Sequence, residues 1–137
     1  VVAVFAAGWY IGSARAEPAV ATEAAQDDRV FELRTYVAPD GKLNDLHRRF
    51  REHTTQYFET HGMTSIGYWV PQDAPGSSNT IVYLLAYPNR EAATASWAAF
   101  QADRGWVEAR TASEVNGPIV STRESVFLVP TDYSPLR

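Results

Sequence analysis

Three histidines, His47, His53 and His61, fall on one predicted helix, and their spacing limits what they can do. A helical zinc pair needs ligands four residues apart, as in His-Glu-x-x-His. Here His53 and His61 are eight apart and His47 and His61 fourteen, so no such pair exists. His47 and His53 read as surface or helix-end residues. His61 has two readings: an imidazolium placed against the helix dipole beside Gly62, or a ring facing a cleft. Glu32, Arg34 and Tyr36 alternate onto one face of a predicted strand. A buried arginine needs a partner, and Glu32 or Glu124 can supply it across or along strands; anchoring a ligand is the alternative. Trp69, Tyr83, Trp97, Phe100 and Trp106 form a large aromatic set for so small a chain. They are either bulky core or the walls of a cavity between sheet and helices.

Other chemistries find no foothold. No Asp/Glu pair sits at a helical step on an apolar face, so no acid/base couple is assigned. Ser77, Ser78, Ser121 and Ser125 lack a nucleophile-elbow context, which argues against a hydrolase. Without a glycine-rich phosphate loop or a metal-ligand cluster, neither cofactor nor metal is expected. Arg90, Glu91, Glu108, Arg110 and Glu114 read as charges on solvated helix faces. The absence of cysteine excludes disulfides and thiolate chemistry. Net charge is −4, and removing residues 1–16, whose only charge is Arg15, leaves −5. A mildly acidic chain without a basic stripe is a poor partner for nucleic acid or an anionic membrane.

A chain of 137 residues, 45% hydrophobic and 20% charged, has room for one domain with a tail. Residues 1–12 are almost wholly apolar, and Ser13-Ala14-Arg15-Ala16 supplies an Ala-x-Ala cleavage pattern. Residues 1–16 are therefore expected to be a signal peptide cut before Glu17, its basic start preceding Val1, with an uncleaved membrane anchor as the alternative. Either places the folded part outside the cytoplasm, in a periplasm or secreted. Residues 17–28, rich in Ala, Glu, Thr and Asp, read as a flexible tether. The domain then spans 29–137.

Within it, residues 30–37 alternate as a strand, with Phe31, Leu33, Thr35 and Val37 opposite Glu32, Arg34 and Tyr36. Leu43, Leu46, Phe50, Tyr57 and Phe58 recur at helical steps, predicting a helix over 42–61 with Gly62 as a left-handed cap. Strands follow at 64–70 and 80–87, separated by a Pro- and Ser-rich loop. Asn89 caps a helix carrying Ala93, Trp97 and Phe100; Asp103-Arg104-Gly105 breaks it, and 106–115 is a shorter helical piece. Residues 121–129 form the last strand. The order β-α-β-β-α-β is the ferredoxin-like α+β plan, with helices on one face of an antiparallel sheet. Tyr36, Trp69, Tyr83, Leu85, Tyr87, Phe127 and Val129 are expected on the other face, too apolar for water. A two-fold partner covers it most simply, making the protein a homodimer.

Four signatures run in order along the chain. They are Glu32-Leu33-Arg34-Thr35-Tyr36; His61-Gly62-Met63 with Gly67-Tyr68-Trp69; Tyr83 to Glu91 ending near Ser96-Trp97; and Asn116-Gly117-Pro118. Over residues 30–135 the chain resembles the NIPSNAP family. That resemblance implies a dimeric α+β barrel, as in small monooxygenases of antibiotic biosynthesis, which oxidise electron-rich molecules without metal or tightly held cofactor. It also implies an interaction role, since animal relatives are mitochondrial and implicated in vesicle traffic and autophagy; the export-type N-terminus here departs from them. Two functions follow. The first is binding, and on one reading oxidising, a small apolar or aromatic molecule, with a candidate pocket of Arg34, Tyr36, His61, Trp69, Tyr83, Trp97 and Phe100. The second is a non-catalytic scaffold, whose interior should be packed solid. Trp97→Ala or Arg34→Ala is expected to lose affinity with the fold intact in the first case and, in the second, to cost stability, about 3–5 kcal/mol at a buried Trp.

Overall fold

The computed structural model describes residues 29–137; the expectations for 1–16 and 17–28 lie outside the described residues. Four antiparallel strands, β1 (Val30–Val37), β2 (Thr64–Trp69), β3 (Thr80–Tyr87) and β4 (Thr122–Leu128), form one sheet in the order β2-β3-β1-β4. With helices between β1 and β2 and between β3 and β4, this is the ferredoxin-like arrangement. β1 and β3 are the central pair, in register from Val30–Tyr87 to Val37–Thr80. A bulge at Ile66 shifts the β2–β3 register, so Ser65 opposes Leu85 while Gly67 opposes Leu84.

The first helical rod is α1 (Leu43–Arg49), a π-helical stretch (Phe50–Thr54) and α2 (Thr55–Thr60). The buried residues Leu46, Phe50, Thr54 and Phe58 follow one another at steps of four. In a straight α-helix each such step overshoots a full turn by about 40°, so the stripe would wind away from the sheet. The wider π turn returns it, and Thr54 and Thr55 donate to the carbonyls of Arg49 and Phe50 five residues back. The rod ends at Gly62, φ +74°, where Gly62 N–H donates to Glu59 O and Met63 N–H to Phe58 O, the two bonds of a Schellman cap.

Helix α3 (Arg90–Ala102) is capped by Asn89, whose side chain accepts from Ala92 N–H at 2.8 Å. Helix α4 (Arg104–Ser113) starts two residues earlier than the sequence suggests, because Asp103 both ends α3 and caps α4 through Trp106 N–H. The core lies between rod, α3, α4 and sheet: Phe58 stacks on Tyr83, and Phe50, Phe100 and Trp106 close around them.

The face assignment differs from expectation. Tyr36, Tyr83, Leu85 and Tyr87 lie buried beneath the helices, with Phe127 packed against the same core. The opposite face carries the rows Val126–Leu33–Leu84–Gly67 and Glu124–Thr35–Val82–Trp69. The helices present their own large aromatics, and the bulkiest strand residues mesh with them, leaving mainly aliphatic side chains on the open side. One end of that side is covered by the chain itself. Phe31 is buried beneath a C-terminal stretch that includes Pro130 and Leu136, and Arg29 donates to Arg137 O at 2.7 Å. Trp69, Val126 and Leu128 stay exposed.

Candidate functional site

β1 feeds three polar side chains into the helix-covered side of the sheet, and Glu32 organises them. It is 1% exposed, yet four donors converge on its carboxylate. Ser125 Oγ from β4 donates to Oε1 at 2.6 Å, Tyr87 Oη from β3 to Oε2 at 2.7 Å, and Trp97 Nε1 from α3 to Oε2 at 2.6 Å. Arg34 completes the set with a direct ion pair to Oε1. Burial alone would raise the Glu32 pKa. The bonds from Ser125, Tyr87 and Trp97, with the Arg34 charge, outweigh burial and hold the carboxyl below its ordinary range. Tyr87 is pushed the other way, first by burial and then by the carboxylate it must bond to.

Arg34 sits over the Trp97 indole, its guanidinium carbon 4.1 Å from the ring centroid, and its Nη2 donates to Tyr36 Oη at 3.2 Å. Burial opposes its charge, but the oxygens of Tyr83 and Tyr36 and the Glu32 carboxylate more than compensate and raise its pKa. Glu32, not Glu124, is the partner the sequence left open; Glu124 opposes Thr35 and lies on the other face.

Above this cluster a cavity of about 350 Å³ opens between the sheet and the helices. Its walls are aromatic: Tyr36, Phe50, Phe58, Trp97, Phe100 and Trp106. Its polar lining is Arg34, Arg49, Thr54, Gln101, Arg110 and Arg123. Arg49, on the buried side of α1, donates from Nη1 to Glu114 Oε1 at 3.1 Å and to Ser113 Oγ at 3.3 Å. Here the solvated-face expectation for Glu114 is corrected, since it pairs with a buried arginine; Arg110 is exposed as expected, yet it also lines the cavity.

Of the seven residues named from sequence, Arg34, Tyr36, Trp97 and Phe100 line this cavity. Tyr83 lies outside the lining, fully buried, stacked on Phe58 and Tyr68 and edge-on to Tyr36. His61 lies outside it too. Its Nε2 bonds Asp103 Oδ2 at 2.7 Å, tying the end of α2 to the α3–α4 junction, and that bond chiefly lowers the Asp103 pKa. Trp69 borders a separate hollow with His47 and Arg51 at the β2 edge. Sequence reasoning missed Arg49, Arg110 and Arg123 as lining. A signal existed for each: Arg49 is three residues after Leu46 on the buried stripe, Arg110 four after Trp106, and Arg123 shares parity with Ser125 and Phe127 on β4.

The NIPSNAP family model matches residues 31–135, nearly the whole described part. The chain belongs to the NIPSNAP family. Solved structures of the same family superpose well. A NIPSNAP family protein from Agrobacterium tumefaciens is 24% identical, with TM-score 0.70, over 80% of this chain and 99% of its own. An uncharacterized NIPSNAP-like domain protein from Burkholderia xenovorans is 20% identical, with TM-score 0.68, over 80% and 90%. SnoaB, a cofactor-independent oxygenase from Streptomyces nogalater, is more distant: 15% identical, TM-score 0.50, over 79% and 98%. These likenesses bear out the ferredoxin-like α+β fold of the chain. Among the curated proteins none matches this chain.

Proposed function

We propose that this NIPSNAP domain is an exported homodimer that binds a small aromatic or apolar molecule in the cavity between its sheet and helices. The cavity itself carries the proposal. A scaffold has no need of about 350 Å³ of accessible space inside a domain of this size, and that volume falls within the range of small-ligand sites. The walls suit a flat ring, with Phe100 and Trp106 centroids 4.5 Å apart on one side and Trp97 perpendicular to Phe100. Arg34 is fixed by four contacts before any ligand arrives, so it can orient a polar group without loss of rotamer freedom.

The dimer rests on the exposed Trp69, Val126 and Leu128 of the open sheet face and on the barrel fold, in which two such faces close on each other. Export rests on the apolar stretch and the Ala-x-Ala pattern of residues 1–16. Native mass spectrometry of the chain, purified gently from its own host, tests the assembly and the ligand together. Twice the monomer mass with a reproducible additional mass is expected. A dimer that never carries extra mass counts for the interaction-protein alternative.

A further inference from the structure

Resting on the ligand-binding reading above, we propose that the cavity takes a planar aromatic carboxylic acid, its carboxylate held among Arg49, Arg110 and Arg123 and its ring against Trp97 and Trp106. The charge inventory of the lining points there. Four arginines face the cavity and no carboxylate lines it, in a chain that is acidic as a whole. Two of the four already have anions: Glu32 serves Arg34, and Glu114 serves Arg49. Arg110 and Arg123 have no ion pair among the described residues. The lining is therefore left with an excess of positive charge.

The two unpaired arginines are exposed at the cavity edge, and a buried one stands behind them. The Arg49 side chain is 3% exposed, and its Nε–H, like that of Arg34, is buried without a hydrogen-bond partner among the described residues. A buried guanidinium donor left idle is costly, and native sites supply an acceptor. Burial lowers the Arg49 pKa, and the nearby Arg123 charge pushes the same way, so an anion between them relieves a repulsion already present. Arginine forks match the planar, two-oxygen geometry of a carboxylate. The aromatic walls and a volume of about 350 Å³ leave room for one or two fused rings beside it.

Three probes with the same rings separate this inference from its parent: 2-naphthoate, methyl 2-naphthoate and 2-naphthalenemethanol, titrated calorimetrically against the full chain. The Arg123 side chain is exposed at the cavity edge, makes no hydrogen bond among the described residues and touches the fold only through the Tyr36 ring, 5.5 Å from its centroid, so Arg123→Gln, which keeps the β4 backbone pairing, is a variant that should fold normally. The expected result is 2-naphthoate binding at least about tenfold tighter than its ester, the scale of one charge-assisted hydrogen bond. Added NaCl should weaken the acid alone. Arg123→Gln should remove most of the preference and Arg123→Lys should restore part of it. Equal affinity for acid and ester overturns the anionic assignment and leaves the ligand site standing. Failure of the native chain to bind any of the three overturns both. A preference unchanged in Arg123→Gln overturns the arginine cluster as its source.

Discussion

Glu32→Gln is the substitution that most directly probes the floor of the site. Glutamine keeps the shape but loses the charge that balances Arg34, whose side chain is only 13% exposed. It also turns one terminal oxygen into a donor, facing donors already supplied by Ser125, Tyr87, Trp97 and Arg34. Breaking a buried ion pair by removing one partner costs about 3–5 kcal/mol. For a domain of this size that corresponds to a fall in Tm of roughly 10–20 °C. Thermal and urea unfolding at one fixed protein concentration measure it, since a dimer's stability depends on concentration. The pH series gives a second, independent readout. The folded pKa of Glu32 is depressed below its ordinary 4.5, so its stabilisation is present above that value and lost as pH falls through the lower folded value. The native chain should therefore lose stability on acidification over that window, and Glu32→Gln should lose less. Ser125→Ala, which leaves three donors in place, should cost only about 1 kcal/mol. A Glu32→Gln protein within 1 kcal/mol of native, with unchanged acid sensitivity, would refute the buried-pair account.

Two further perturbations address other parts of the fold. Gly105→Ala would place a Cβ 2.3 Å from Tyr57 Oη, so despite alanine's better helix propensity it should destabilise the domain by about 1–3 kcal/mol. Removing the hydroxyl with Tyr57→Phe should recover most of that loss, and urea unfolding of the double variant decides it. Val126→Asp puts a charge at the exposed end of the Val126–Leu33–Leu84 row and is expected to turn a dimer into a folded monomer by light scattering. A variant that remains dimeric would remove the open sheet face as the interface.

The strands β1 and β3 were readable residue for residue, β1 because its residues alternate and β3 because it is a continuous apolar run of strand length, and turn residues bound both. What alternation does not carry is which face the helices cover. Both faces of this sheet are apolar enough for either, and the choice is made by aromatics at positions 50, 58, 97 and 100 that meet the sheet only after folding. The π stretch was equally hidden. Leu46, Phe50 and Phe58 read as one helical stripe, and only the buried Thr54 between them, a polar residue on an apolar face, hints that the rod must widen there. Glu32 looked like a possible partner for Arg34, but its role as a buried hub depends on Tyr87, Trp97 and Ser125, which are 55, 65 and 93 residues away. The arginine-rich rim stayed out of view for a related reason: charges on helices are ordinarily solvated, and only the approach of α4 to α1 brings Glu114 onto Arg49 and sets the exposed Arg110 at the cavity edge.

That same convergence changes which variants can separate ligand loss from fold loss. From sequence, Trp97→Ala and Arg34→Ala were the natural choices, on the premise that wall and anchor stand apart from the core. In the folded chain Trp97 donates to Glu32 and stacks on Arg34, while Arg34 neutralises Glu32. Removing either leaves a buried charge or acceptor poorly paired, so stability and affinity must fall together whether or not a ligand exists. Phe100 and Trp106 share the difficulty, being buried against one another. The residues free of it are those that line the cavity without holding the fold. Arg123 and Arg110 come nearest to that condition: neither forms an ion pair among the described residues, and the one ring contact of Arg123, 5.5 Å from the Tyr36 centroid, is worth only about 0.5–1 kcal/mol at an exposed site. A loss of binding on changing either, at unchanged Tm, is a result the solid-scaffold alternative has no means to produce.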